Sequence, residues 1–116
     1  MEIFTFKKED GKRIEAFDSN FVMSRITQTF SPSMIGCMYL EENGVIGYHQ
    51  AVMPQLLLIV KGEGEVRSNN GEYFHVKTGD AVFWGKDEWH ETRSEEGLMA
   101  VVIESEELTP WDYIKK

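Results

Sequence analysis

The side chains best suited to chemistry in this sequence are three histidines, His49, His75 and His90. A histidine titrates near neutral pH, so it can hold a metal ion or take a proton from a substrate. His49 and His90 stand in short strand-like runs, GVIGYHQA and WHETRS, and Gln55 opens a third. On residue types alone, two imidazoles and an amide can serve a metal, a polar ligand or proton transfer. Buried histidines that only make ordinary hydrogen bonds are the commoner case.

His75 differs from the other two histidines in its surroundings. Polar and apolar residues alternate through the run EYFHVK, and successive residues of a strand point to opposite faces. Phe74 and Val76 are the apolar pair and take the core side. We therefore predict that His75 lies on the outer face, away from any interior site.

Strands must position these side chains, because the pattern favours strands along the whole chain. Short runs rich in Val, Ile, Phe, Tyr and Leu alternate with Gly, Asn and Asp, and Asn70-Gly71 is the strongest hairpin signal. The tail from residue 104 forms at most a short turn or helix. The predicted strands are residues 3–6, 21–30, 34–41, 44–51, 55–68, 72–79, 81–85, 89–94 and 98–105. This spacing predicts an all-β sandwich or barrel in a single domain, residues 1–116.

Length and charge exclude several classes of function. A chain of 116 residues is one domain of ordinary size. The net charge of −8 disfavours nucleic acid and anionic membranes, since both need a positive protein face. No apolar run approaches the roughly 20 residues that cross a bilayer, and the first residues lack the apolar core of a signal peptide. We therefore predict a cytoplasmic protein with no nucleic-acid or membrane partner.

The chain contains one cysteine, Cys37, so no disulfide can form within it. Cys37 lies in the apolar run SMIGCMYL, where a lone cysteine is usually core filling. We predict this structural role for Cys37 rather than that of a nucleophile activated by a histidine.

Residues 44–90 resemble the two motifs of the cupin superfamily, which are small β-barrels of the jelly-roll kind. In the first motif a glycine precedes His-x-His, a glutamate and a closing glycine. Here His49 and Gly62 match in type and register, and the leading glycine comes one place late. Ala51 stands where the motif has its second histidine, and Gln55 where it has glutamate. The chain thus resembles a subgroup of small cupins with His-x-Ala and Gln in place of His-x-His and Glu.

The second cupin motif runs glycine, proline, glycine and histidine at fixed spacing. Gly79 and His90 keep that spacing, while Gly85 replaces the proline and Asp87 the second glycine. Together the motifs imply a cupin-type jelly-roll barrel whose motif-bearing core spans about residues 34–105.

The resemblance also implies one interior pocket, centred on His49, Gln55 and His90. Metal-binding cupins typically hold a divalent ion with three histidines and one glutamate. Two imidazoles and a neutral amide should bind an ion more weakly by orders of magnitude, since they leave its charge uncompensated. We expect at most a weakly held Zn²⁺, Ni²⁺, iron or manganese ion and no organic cofactor. Ala51 leaves room for water or for the ligand itself.

Three functions fit such a pocket. We favour a protein that binds a small organic molecule, with or without the weakly held metal. The second is a metal-dependent enzyme of the oxygenase or isomerase type. The third is a metal-free isomerase with a histidine as general base. Some sugar-modifying cupins pair this histidine with a tyrosine, and Tyr39, Tyr48 and Tyr73 are available, although the sequence places none of them in the pocket.

Two further expectations concern the surroundings of the pocket. Trp84 and Trp89 either line it or pack beneath its rim. The strand edges of a small jelly roll need covering, and cupins commonly pair. We therefore predict a homodimer, with residues 3–6 as a candidate for exchange between subunits.

Overall fold

The structure is a computed structural model that describes residues 1–69 and 71–116. Short 3-10 turns lie at Lys8–Asp10, Ala16–Asp18 and Pro110–Asp112. In the described part of the chain, no helix is long and apolar enough to cross a membrane. The strands are β1 (Glu2–Thr5), β2 (Lys12–Ile14), β3 (Phe21–Met23), β4 (Ser33–Leu40), β5 (Gly44–Gln50), β6 (Gln55–Arg67), β7 (Tyr73–Lys77), β8 (Asp80–Trp84), β9 (Trp89–Ser94) and β10 (Leu98–Ser105).

Two layers of antiparallel strands enclose the core, and β6 belongs to both. The first layer has the strand order β1-β8-β6-β10-β4. In the second layer, β5 pairs with β9, and both β9 and β7 pair with β6. The first half of β6 pairs with β8, while residues from Glu63 onward pair with β7. The all-β architecture predicted from the sequence is confirmed.

Gly62 lies at the point where β6 passes from one layer to the other. Its φ is +89°, a conformation that residues with a side chain rarely adopt. A Cβ atom here would lie 2.6 Å from the carbonyl oxygen of Gly97, which is closer than real Cβ atoms approach. The closing glycine of the first motif is therefore required by the backbone of the barrel.

The hydrophobic core has two parts, on the two faces of the first layer. Along β6, Leu57 and Ile59 point between the layers, whereas Leu56 and Leu58 point outward. The outward pair is covered by the chain termini, including Leu108. The first half of β6 is therefore buried on both faces and reads as a continuous apolar run. The inner cluster comprises Leu40, Leu57, Ile59, Val66, Val76, Val82, Trp84, Leu98, Ala100 and Val102.

The main difference from the predicted strands lies near the N-terminus. The predicted strand at residues 21–30 shortens to Phe21–Met23, and it pairs with Lys12–Ile14, which the sequence did not predict. This hairpin carries mixed polar and apolar residues, and its apolar side chains belong to neither core cluster. The apolar pattern of residues 21–30 therefore predicted a longer strand than the one that forms. The other predicted strands are present with small shifts of their ends.

One expectation about a strand edge is wrong. Cys37, expected in the core, is exposed. The prediction was wrong because β4 is the last strand of the first layer and its outer face is left uncovered. Residues 3–5 of the candidate segment for exchange lie in β1, which pairs with β8. Exchange between subunits stays a prediction.

The two strands of the hairpin predicted around Asn70-Gly71, β6 and β7, pair with each other. The paired residues run from Arg67 and Tyr73 to Glu63 and Lys77. Asn70 itself lies outside the described residues.

The prediction for His75 is confirmed, because its ring is exposed and lies 3.1 Å from the carboxylate of Glu63 on the outer face.

Candidate functional site

The structure brings together two histidines that are far apart in the sequence. His49 on β5 and His90 on β9 are opposite each other in the second layer. Their ring centroids are 4.4 Å apart, and the rings meet edge to face at 71°. His90 is buried, with 3% of its surface exposed, whereas His49 is exposed. The pair therefore runs from the interior to the solvent.

A β-bulge turns His49 toward His90. Ile46 is paired with Thr92 and His49 with His90, so β5 takes three steps where β9 takes two. Ile46 packs against the inner core. Strict alternation from Ile46 would therefore send Tyr48 inward and His49 outward. The extra residue reverses this, as bulges beside functional sites often do.

A backbone contact orients the His49 ring. Its Nδ1 lies 2.6 Å from the carbonyl oxygen of Gly47. A carbonyl oxygen can only accept a hydrogen bond, so Nδ1 is the donor, and Nε2 carries no proton in the neutral ring. His49 therefore presents Nε2 as a hydrogen-bond acceptor or a metal ligand.

Trp84 of the first layer forms the floor beneath His90. The two rings stack with centroids 4.6 Å apart and planes at 29°. Trp84 is almost fully buried, with 1% of its surface exposed. Trp89 instead lies on the outer face, where it stacks on Tyr48 at 5.3 Å. Of the two tryptophans, only Trp84 contacts the histidine pair in the described structure.

Gln55 completes the arrangement from β6, directly opposite Trp84 across the β6–β8 pair. Gln55 Oε1, Trp84 Nε1 and His90 Nδ1 are all buried, and none has a hydrogen-bond partner among the described residues. Leaving a buried polar group unsatisfied costs about 1–3 kcal/mol, and folded proteins do so rarely. Three such atoms on contiguous side chains mark this part of the barrel as a candidate binding site.

The burial of His90 keeps its ring neutral. Loss of solvation lowers the pKa of His90 to about 4, and the neighbouring His49 contributes in the same direction. The carboxylate and the backbone of Glu88 both act the opposite way but are outweighed. At pH 7, His90 is therefore an uncharged imidazole that can donate or accept a hydrogen bond.

The loop before His90 is fixed by hydrogen bonds of both backbone and side chains. The carboxylate of Glu88 accepts one from the Gly85 N–H at 2.9 Å and one from the amino group of Met1 at 2.6 Å. The N–H of Ala51 donates to the Glu88 carbonyl, and the Asp87 N–H donates to the Ala51 carbonyl, both at 2.9 Å. Ala51, where the motif has a histidine, is buried and serves to anchor this loop.

The candidate tyrosines lie outside the barrel. Tyr48 packs against Trp89, and the Tyr73 hydroxyl donates to Glu91 at 2.6 Å on the outer face of the second layer. Tyr39 is 71% exposed on β4. Within the described structure, none of these three tyrosines is in ring contact with the histidine pair.

The donor atoms at this site suit a divalent metal only in part. Among the described residues, no group of three or more His, Cys, Asp or Glu side chains is arranged to hold a metal ion. His49, His90 and Gln55 offer two imidazole nitrogens and one amide oxygen, all neutral. Such a set leaves the charge of a divalent ion uncompensated.

Glu104 is a neighbour of the site that the sequence analysis did not identify. It lies on β10 directly opposite Gln55 of β6, and it is partly buried. Alternation along β10 could have revealed it, since Glu104 follows Ala100 and Val102 on one face. That pattern was hidden because the opposite face of β10 is apolar as well.

Comparisons with known proteins agree with this architecture. A family model described as a cupin domain matches residues 37–105. An RmlC-like cupin from Shewanella frigidimarina is 19% identical, with 65% of this chain and 67% of that chain covered and a TM-score of 0.60. A cupin superfamily protein from Desulfitobacterium hafniense is 13% identical, with coverages of 73% and 75% and a TM-score of 0.61.

A third similar structure is described as a predicted oxalate decarboxylase from Thermotoga maritima. It is 23% identical, with 60% of this chain and 63% of that chain covered and a TM-score of 0.56. At these identities the structural similarities show the fold alone. No curated protein matches the sequence.

The depressed pKa of His90 predicts a specific acid sensitivity. Between about pH 4 and the ordinary histidine value near 6.5, the unfolded chain binds a proton that the folded chain does not. The free energy of unfolding should therefore rise with pH across this window, by at most about 3 kcal/mol from this group. An NMR titration of the ring protons should place the pKa of His90 near 4. A value at or above 6.5, or an unchanged stability slope in His90→Gln, would contradict the described burial.

Proposed function

The chain belongs to the cupin family, and we propose that it binds a small organic molecule in an interior pocket formed by His49, Gln55 and His90. The observation that supports this most strongly is the set of buried polar atoms without partners, Gln55 Oε1, Trp84 Nε1 and His90 Nδ1. A ligand with matching donors and acceptors would satisfy them and recover the free energy that their burial costs.

The chemistry of the pocket is directional and mostly apolar. Gln55 Oε1 accepts a hydrogen bond, Trp84 Nε1 donates one, and His49 Nε2 accepts at the rim. Beneath them lie Leu57 and other side chains of the inner cluster. Ligand sites commonly combine an apolar wall with a few such polar groups. This arrangement favours a small, partly apolar molecule with both donor and acceptor atoms.

Replacing Gln55 should separate stability from binding. In Gln55→Leu the unsatisfied amide is removed, so we expect the ligand-free protein to become more stable by about 1 kcal/mol. The same variant should lose the thermal shifts that small metabolites produce in the wild type. Urea unfolding and a metabolite thermal-shift screen measure the two effects. Glu106→Leu, at an exposed position outside the proposed pocket, is the control for a polar-to-leucine change.

Two results for Gln55→Leu would contradict the proposal. A loss of stability of 1 kcal/mol or more would mean that Gln55 has partners inside the protein and that the site is structural. Retained thermal shifts would mean that ligands bind elsewhere.

A metal-dependent enzyme of the oxygenase or isomerase type is the second candidate, and the 4.4 Å separation of the His49 and His90 rings favours it. In this case His49, His90 and Gln55 would hold a divalent ion, which would act as a Lewis acid on a bound substrate. Because position 55 carries an amide and not a carboxylate, the ion would bind weakly and mainly together with the substrate.

Restoring the carboxylate tests how much the charge at position 55 limits metal binding. We expect Gln55→Glu to bind Zn²⁺ at least about tenfold more tightly than the wild type, because the carboxylate compensates part of the charge of the ion. Isothermal titration calorimetry on metal-free protein measures this, and Gln55→Glu combined with His49→Ala is the control. Equal Zn²⁺ affinities in the wild type and Gln55→Glu would place the metal outside this pocket.

A metal-free isomerase is less well supported. The low pKa of His90 makes it a weak proton acceptor, which leaves His49 as the candidate general base. The outward positions of Tyr48 and Tyr73 leave that base without a nearby tyrosine in the described structure. The cytoplasmic location expected from the sequence stays a prediction.

A second copy of this chain is the partner that the exposed strands suit best. β4 ends the first layer, and Ile35 and Tyr39 on its outer face are 66% and 71% exposed. The β2–β3 hairpin forms a separate two-stranded sheet, with Phe17 99% and Phe21 43% exposed. In a two-fold dimer, the hairpin of each subunit could lie along β4 of the other and cover both apolar surfaces.

Charged substitutions on either surface should separate the subunits. We expect Ile35→Lys and Phe21→Lys each to weaken dimerisation by about tenfold or more, since each would bury a charge without a partner. Light scattering during size exclusion, over a range of protein concentrations, measures this. Val52→Lys, at an exposed apolar residue outside both surfaces, should remain dimeric. A wild-type protein that stays monomeric at high concentration would refute the pairing.

A further inference from the structure

Glu104 lies in the same row of side chains as the proposed pocket. Paired residues of antiparallel strands project to the same face of a sheet. Across the first layer, the paired residues are Met34, Glu104, Gln55 and Trp84. The next row on that face contains Leu57, Val82 and Val102, which belong to the inner cluster together with Trp84. The face that carries Glu104 is therefore the inner one.

The carboxylate of Glu104 lacks a counter-charge in the described structure. Glu104 makes no ion pair or side-chain hydrogen bond with any described residue, and its neighbour Gln55 has an unsatisfied acceptor, Oε1. No lysine or arginine belongs to the row. A partly buried carboxylate beside a second free acceptor is best stabilised by a group that donates hydrogen bonds and carries positive charge.

The edge of the first layer beside Glu104, formed by β4, is uncovered. Met34, the partner of Glu104 on β4, is 72% exposed. In the next row, a Cβ atom on Gly36 would meet only Val102, at an ordinary contact distance of 3.7 Å. This uncovered edge is where we expect a ligand to approach Glu104 and Gln55.

We propose that Glu104 contacts the ligand of this pocket and makes the pocket selective for a positively charged group. The inference rests on the proposed binding function and adds the class of ligand to it. Gln55 replaces the glutamate of the cupin motif, so the acidic group of this site comes from the adjacent strand β10. The same charge could be carried by an organic ammonium or guanidinium group or by a divalent ion, since each is attracted to a carboxylate.

Probes that differ mainly in charge separate these possibilities. The indole N–H resonance of Trp84, assigned with Trp84→Phe, reports on binding because Nε1 is buried beside Gln55 without a partner. The probes are butylamine, butylguanidine, butyramide, butyrate and Zn²⁺, each titrated into the wild-type protein. We expect the Trp84 resonance to shift in a saturable way with the organic cations butylamine and butylguanidine, with Zn²⁺, or with both. Butyrate and butyramide should bind more weakly.

Variants at position 104 test the residue itself. We expect Glu104→Gln, which keeps the shape of the side chain, to weaken binding of the cationic probes by about tenfold or more. Glu104→Asp, which keeps the charge, should recover part of the affinity. Glu106→Gln removes an exposed charge nearby and should change the affinity by less than about twofold.

The outcomes distinguish failure of this inference from failure of the pocket. If wild type and Glu104→Gln bind the cations equally, or if butyrate or butyramide binds best, Glu104 does not select the ligand and the pocket still stands. If no probe moves the Trp84 resonance, the pocket itself is refuted, and the role of Glu104 with it. If butylamine shifts the Trp84 resonance and Zn²⁺ does not, the ligand is an organic cation. If Zn²⁺ shifts it and butylamine does not, the ligand is a metal ion.

Discussion

Strand β6 is hydrogen-bonded to both layers of the barrel, and the proposed pocket depends on this constraint. Its first residue, Gln55, is fixed beside Trp84, while its second half holds β9, the strand that carries His90. The left-handed turn at Gly62 allows one strand to serve both layers. Because both ends of β6 are fixed, the indole of one layer stacks on the imidazole of the other at 4.6 Å.

Within this rigid frame, the polar atoms of the site work against stability. Among the described residues, Gln55, Trp84 and His90 each bury an atom without a partner, although the surrounding core is apolar. Proteins that carry such local conflicts usually do so where they function. A ligand that satisfies these atoms would stabilise the folded state in proportion to its binding, so stability and function are linked at this site.

Much of the architecture could be predicted from the sequence, because most strands combine apolar residues with glycine turns. The motif spacing also predicted that His49 and His90 lie together, yet alternation along β5 would have turned His49 outward. Gly47, a glycine inside the strand, is the one residue that marks the bulge, and a glycine there is a weak signal. Glu104 was missed because β10 is apolar on both faces, so polarity does not show which face is inner. The exposure of Cys37 was missed for a related reason, because an apolar edge strand reads like a buried one.

The central claim is that Gln55, Trp84 and His90 leave polar atoms free for a ligand. A high-resolution crystal structure of the protein, purified from cells without a nickel column, tests this most directly. We expect density for a bound molecule or ion within hydrogen-bonding distance of Gln55 Oε1, beside the paired imidazoles. A structure in which the Trp84 indole donates to Gln55 Oε1, and in which no space for a ligand remains beside the two histidine rings, would contradict the claim.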